Sequence, residues 1–220
     1  MVIHAPYTVV SLFCGIGGLD LGFEYADFHI IWANDISANA TKSYAKNFKI
    51  TPICGDITEI SIEKIPPADV IIGGPPCQSF SLVGMRRPED NRGRLVFHFL
   101  DIVRDRRPSA FFMENVPGIA ASRINGRRLT NILCCEFSKI GYKVKIIKLN
   151  AANYLVPQRR ARIFILGSRE TYIQEPNPVL FARDCYNLDS KAFDLSARAA
   201  ISDLGDCVSK GQLAGSMARI

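Results

Sequence analysis

Along roughly the first 170 residues, short apolar runs alternate with longer segments of helical spacing. Residues 8–13, 29–33, 51–54, 68–72, 110–113, 144–149 and 162–167 are β-branched or apolar and bounded by Gly, Pro, Asn or Asp. Runs of that length and flanking read as buried strands. Residues 19–25, 37–47, 95–107 and 127–140 space their apolar positions as helices do, and Gly141 closes the last of them. Strands alternating with helices predict a doubly wound, mostly parallel α/β sheet. Residues 84–94 are polar, arginine-rich and without period, so a surface loop is expected there. Beyond residue 168 the pattern weakens to one short helix over 196–204, which sets an expected boundary between residues 1–170 and a C-terminal extension, 171–220.

The chemistry-bearing residues fall where strands end. In an open α/β sheet the carboxyl edge of the strands is where ligands bind. After residues 68–72 the chain runs Gly73-Gly74-Pro75-Pro76-Cys77-Gln78-Ser79-Phe80-Ser81. Proline lacks the N–H and fixes φ, so the strand must turn there and present Cys77, as a nucleophile or as a buried structural thiol. The first strand opens into Cys14-Gly15-Ile16-Gly17-Gly18, a turn whose glycines let backbone approach a ligand, though glycine also serves plain tight turns. Asp35 follows Gly15 by twenty residues, where an acid receiving ribose hydroxyls is expected; capping the next helix is its other reading. Asp56 and Ile57 could meet an adenine edge and face, or Asp56 could be a turn residue. Glu114-Asn115 ends the fifth strand, and Gln158-Arg159-Arg160-Ala161-Arg162 precedes the last.

Composition narrows the class. The chain has 220 residues, 48% of them hydrophobic, enough for one normal core. No apolar run is long enough for a membrane span, and the first residues lack the build of a signal peptide. A soluble, cytoplasmic protein is the expectation. Seven cysteines without CxxC spacing fit reduced thiols, and His4, His29 and His98 are scattered, so no metal site is expected. The net charge of +6 is concentrated in three arginine clusters, at 86–107, 123–128 and 159–162, expected to flank the active-site loops. These are either a solvated basic face or the footprint of a polyanion.

These blocks, in this order, resemble the C5-cytosine DNA methyltransferase family. Phe13-x-Gly15-x-Gly17-Gly18 is similar to its cofactor motif and Gly74-Pro75-Pro76-Cys77-Gln78-Ser79-Phe80-Ser81 to its nucleophile motif. Glu114-Asn115-Val116 and Gln158-Arg159-Arg160-Ala161-Arg162 are similar to its two base-handling motifs. The resemblance spans about residues 8–168 and implies a Rossmann-like S-adenosylmethionine-dependent methyltransferase fold. It implies Cys77 as the nucleophile toward cytosine C6, Glu114 at the N3 and N4 edge, Arg162 at O2, and Arg160 holding the loop or a phosphate. For S-adenosylmethionine it implies Phe13 bordering the adenine, the Gly15, Gly17 and Gly18 turn at the methionine moiety, and Asp35 on the ribose. Ile36, Asp56 and Ile57 would surround the adenine, with Pro75 and Leu95 completing the contacts. Double-stranded DNA is the implied partner, with the target cytosine flipped from the stack, and restriction–modification the implied setting.

The family's pattern normally continues with a target-recognition region and a late cofactor motif, and Ala199-Ala200-Ile201-Ser202-Asp203-Leu204 resembles the segment leading into it. The expectation is therefore a catalytic part completed by a second polypeptide that supplies target recognition. The alternatives are a truncated inactive product, a DNA-binding or regulatory relative, and an RNA methyltransferase on the same scaffold.

Overall fold

The computed structural model describes residues 6–76 and 95–178. Seven strands form the main sheet: β1 (Thr8–Leu12), β2 (His29–Asp35), β3 (Ile53–Cys54), β4 (Val70–Gly73), β5 (Ala110–Asn115), β8 (Lys143–Asn150) and β9 (Ala161–Ser168). Their order is β3-β2-β1-β4-β5-β9-β8. The pairs β1–β2, β2–β3, β1–β4 and β4–β5 are parallel, and β9 runs antiparallel to β5. Among the described residues, four helices join them: α1 (Gly18–Glu24), α2 (Ala38–Asn47), α3 (Leu95–Arg106) and α4 (Leu129–Lys139). The doubly wound, mostly parallel expectation holds. Among the described residues, no helix is long and apolar enough to cross a membrane.

Strand alternation divides the core between the sheet's two faces. Val10, Ile71, Phe111 and Met113 point to one side, where Val96, Phe99, Leu100 and Val103 of α3 and Leu133 and Phe137 of α4 cover them. The neighbouring residues Val9, Val70 and Ile72 point to the other, against Leu19, Phe23 and Phe28, with Phe112 alongside. Phe111 is the hub of the first layer, stacked on Phe137 at 4.0 Å between ring centroids and edge-on to Tyr142 at 5.2 Å.

From β1 the chain winds outward to β2 and β3, then crosses back to β4 on the other side of β1. The winding direction therefore reverses between β1 and β4, and the crevice at such a switch point is where this architecture binds ligands. Leu12 pairs with Gly73 in the ladder, so the glycine turn after β1 and the Gly-Gly-Pro-Pro turn after β4 leave the sheet side by side.

The structure departs from the sequence expectation in three respects. Arg127 and Arg128 do not begin the fourth helix; they form β7 (Arg127–Arg128), paired antiparallel with β6 (Arg123–Ile124). The turn between them is Asn125-Gly126, with φ of 48° and 77°. Two consecutive left-handed residues are the tight hairpin turn that Asn-Gly favours. The third strand shrinks to Ile53–Cys54. Pro52 offers no N–H to a ladder, and the buried Asn34 amide instead holds the segment, donating to the carbonyls of Ile53 and Gly55 at 2.9 Å each. Finally, β2 and β5 run on through Asp35 and Asn115, so Asp35 and Glu114 are held by strands rather than loops.

The described chain falls into two units, one with the residues up to Lys148 and Arg162–Glu175, the other with Leu149–Ala161 and the chain from Pro176. In the second, Asn150 Oδ1 accepts from the N–H groups of Ala152 (3.3 Å) and Arg160 (3.1 Å), and the Ala151 N–H donates to the Arg160 carbonyl (3.0 Å). One asparagine thereby closes the 150–160 loop.

Candidate active site

The turn after β1 is built around positive φ. Phe13 (φ 55°), Gly15 (57°) and Gly17 (93°) all lie in the left-handed region. For a bulky aromatic this conformation is uncommon, and strain of that kind gathers at functional sites. Gly17 is required twice over: its φ suits glycine, and a Cβ there would lie 2.1 Å from the Phe48 ring. Phe48 is itself stacked on Tyr44 at 4.1 Å, so an aromatic ledge from α2 supports the turn from below. Among the described residues, nothing lies within 4 Å of where a Cβ on Gly15 or Gly18 would stand.

Asp35 braces this turn with both carboxylate oxygens. Oδ2 accepts from the Gly15 N–H and Oδ1 from the Ser37 N–H, each at 2.8 Å. The helix cap itself is Ser37, whose side chain accepts from the Ala40 N–H. Asp56 Oδ1 takes the turn role, accepting from the N–H and hydroxyl of Thr58. The Ile57 side chain is buried in the core, whereas Ile36 is 70% exposed and Ile53 is also exposed. Leu95, at the start of α3, packs partly buried against the core.

Beneath the turn lies a buried polar cluster. Asp20 and Tyr44 are fully buried, and the Tyr44 hydroxyl donates to Asp20 Oδ1 at 2.8 Å. The Ser11 hydroxyl lies close enough to favour the Asp20 carboxylate, but Asp20 Oδ2 and Ser11 Oγ are not aligned as a formed hydrogen bond. Burial raises the Asp20 carboxyl above its ordinary value, against the opposing effect of Ser11 and Tyr44. Burial, with the Asp20 charge next, pushes the Tyr44 phenol far up. Cys14 is pushed up to about 12, by burial first and then by Asp20 and Asp35. It therefore stays a thiol at neutral pH, unsuited to nucleophilic work.

The raised Asp20 value carries a sign. A folded state that holds the proton more tightly than the unfolded chain is favoured below the ordinary carboxylate range, about pH 4, and loses that advantage as pH rises toward the native value. Asp20→Asn keeps an acceptor for Tyr44 and supplies a donor for Ser11. The variant should melt higher than wild type at pH 7, and its lead should shrink as pH is lowered to 4. Melting curves across that range check this; a constant gap would contradict it.

At the other side of the switch point, β5 grips the turn that leads to Cys77. The buried Asn115 amide donates to the Pro75 carbonyl at 2.9 Å, and its Oδ1 accepts from the Val116 N–H. Gly74 sits against Glu114: a Cβ there would be 3.2 Å from Glu114 Oε2. Cys77 itself lies outside the described residues, as does the arginine-rich loop expected at 84–94. Arg162 Nε stands 2.7 Å from Glu114 Oε1. The N–H is not aligned on that oxygen, so the contact is an ion pair rather than a directed hydrogen bond. The antiparallel register explains it. Glu114 lies opposite Phe164, which makes Arg162 its diagonal neighbour on the same face.

The structure thus brings Glu114, Arg162 and the Gly74-Pro75 backbone to one place, with Phe13, Gly15, Gly17, Gly18 and Asp35 on the adjoining turn. Arg160 belongs to the second unit. Asn115 and Gly74 stand in the motifs quoted from the sequence, but their positioning roles were not legible there. Their signal was adjacency alone, an asparagine after the acid and a glycine three before the thiol. The arginine blocks also separate. Arg104 and Arg106 end α3, which feeds the start of β5, so they lie at the edge opposite the site, paired with Asp101 and Asp105. They do not flank the active-site loops as the sequence suggested. Among the described residues, no cluster of three potential metal ligands occurs.

Comparison with known proteins gives a consistent result. The C-5 cytosine-specific DNA methylase family matches residues 7–213. The Type II methyltransferase M.FnuDI of Fusobacterium nucleatum is 45% identical over 163 residues, 74% of this chain and 47% of its own length. M.MthTI of Methanothermobacter thermautotrophicus is 43% identical over 166 residues, 74% of this chain and 49% of its own. The chain spans about half the length of these curated relatives. The Entamoeba histolytica methyltransferase EhMeth superposes with a TM-score of 0.65 at 25% identity, over 79% of this chain and 56% of its own. The S. pombe Dnmt2 methyltransferase (TM-score 0.62, 22% identity, 77% and 53% covered) shares the fold.

Proposed function

This chain belongs to the C-5 cytosine-specific DNA methylase family, and from that premise we propose that it methylates C5 of cytosine in DNA through a transient bond between Cys77 and C6. The single observation that carries the proposal is the ion pair of Glu114 and Arg162, set against the Gly74-Pro75 backbone that leads to Cys77.

Cytosine C5 is a poor nucleophile while the ring is aromatic. Addition of the Cys77 thiolate at C6 breaks that aromaticity and leaves C5 enamine-like. Charge from the attack would build on N3, and Glu114, carrying or sharing a proton with N3 while accepting from N4, would neutralise it. Arg162 would donate to O2. Once C5 carries the new carbon, loss of its proton and expulsion of the Cys77 thiolate restore the aromatic ring. A stacked base hides C6, so the nucleotide would be flipped out of the duplex.

The residues after β1 fit S-adenosylmethionine, which when bound supplies the methyl group. The room that the described residues leave at Gly15 and Gly18 and the exposed apolar surface of Ile16, Ile36 and Ile53 suit a nucleoside ring. The Asp35 carboxylate suits ribose hydroxyls, its two oxygens already fixed by backbone N–H groups. None of the described residues is assigned to base-specific target recognition. The Type II names of the relatives favour a restriction–modification setting.

The experiment is covalent trapping. DNA containing 5-fluorocytosine cannot lose its C5 substituent as a proton, so elimination stalls after transfer. Incubated with S-adenosylmethionine, the protein should form an adduct that survives denaturation. Absence of an adduct with any fluorocytosine-containing duplex would remove this reading.

A further inference from the structure

We propose that the β6–β7 hairpin grips the phosphate backbone of the substrate duplex, an inference that rests on the DNA reading above. The hairpin places Arg123, Arg127 and Arg128 within six residues, all exposed. It reaches the chain just after β5 through the short 3₁₀ turn Pro117–Ala120. That puts it at the carboxyl edge of the sheet, the edge that carries Glu114.

The hairpin is built against its own stability. Arg123 lies directly opposite Arg128 in the two-stranded ladder, and like charges in that position repel. Arg128 is the N-cap of α4, with no side-chain cap bond and no acidic residue in the first turn. Positive charge at a helix N-terminus also opposes the helix dipole. Among the described residues, no carboxylate forms an ion pair with any of the three. Glu136, whose charge Arg127 feels, is committed to Lys139 at 2.6 Å. The Arg123 guanidinium is steadied by donating to the Gly126 carbonyl at 2.8 Å, which fixes its direction along the hairpin. By contrast, Arg104 and Arg106 at the opposite edge are each paired with an aspartate.

Repulsion between stacked cations, with the dipole adding to it, is relieved by an anion. A guanidinium meets a phosphate through two parallel N–H donors, and a row of phosphates meets a row of arginines. Contacts of this kind position a protein on DNA without reading the bases. The hairpin therefore contributes affinity to every duplex equally, and leaves the choice of site to other residues.

The test is the salt dependence of duplex binding by the 220-residue chain, followed by fluorescence anisotropy. Each neutralised phosphate contributes about 0.9 to the slope of log K against log salt. Arg127→Ala/Arg128→Ala should therefore flatten the slope by about 2, on any duplex sequence. The charge-keeping pair Arg127→Lys/Arg128→Lys should keep most of the slope, and Arg104→Ala/Arg106→Ala should keep all of it. Removing the repulsion should hold or raise the melting midpoint of the alanine pair. An unchanged slope in the alanine pair overturns the proposal, as does an equal loss in the lysine pair or in the opposite-edge pair, or a lowered midpoint. Fluorocytosine trapping separates this from the catalytic reading. An adduct with an unchanged slope removes the hairpin's role alone, and a flattened slope without an adduct removes the chemistry alone.

Discussion

A Cys77→Ser variant should transfer no methyl group above an enzyme-free control and form no adduct with fluorocytosine DNA. A thiol loses its proton near pH 8.5, so a useful fraction is thiolate at neutral pH, and a neighbouring cation increases it. A serine hydroxyl is a far weaker nucleophile at that pH without a dedicated base. Among the described residues, two other thiols are held back by burial. Cys14 and Cys134 are pushed up to about 12 and about 11, each by burial first. Cys135 is exposed on α4, away from the carboxyl edge, so Cys135→Ser should trap DNA as wild type does. Methyl transfer that survives Cys77→Ser would end the covalent scheme.

The second large effect is at Glu114. Glu114→Gln keeps the size of the side chain and an acceptor for N4 but can no longer exchange a proton with N3. Loss of such proton transfer slows reactions by about 10²–10⁴-fold, and single-turnover methylation should slow by that factor. Duplex affinity should stay within a few-fold. The folded state should persist, because Glu114→Gln keeps the side chain's shape and an oxygen facing the Arg162 Nε at the position of the present ion pair. A Glu114→Gln enzyme within about tenfold of the wild-type rate, below the range such proton transfer accounts for, would show that charge on N3 is neutralised elsewhere.

How far the site was legible in sequence differs from residue to residue. The glycine turn after β1 and the Gly-Gly-Pro-Pro turn after β4 were readable, because glycine and proline restrict backbone geometry wherever they occur. The capping reading of Asp35 gave way, since Ser37 caps the helix while Asp35 braces Gly15 and the Ser37 N–H. The hairpin was missed although Asn125-Gly126 is a strong local signal, because the apolar spacing of α4 runs back into Arg127 and Arg128. The role of Asn115, though its motif was quoted, was missed for another reason. Its amide reaches Pro75, forty positions away in the chain, and no local pattern marks a bond of that range.

The sequence by itself determined the alternation of strand and helix, the turns at strand ends, and the residue types those turns carry. These follow from φ restrictions and hydrophobic period, which act over a few residues. The tertiary structure alone decided which of them meet. The reversal of winding between β1 and β4 sets the two turns side by side. The antiparallel insertion of β9 beside β5 brings Arg162 to Glu114. A change of one position in that register would send the arginine to the other face, since side chains alternate along a strand while only the packing of the whole sheet selects the pairing.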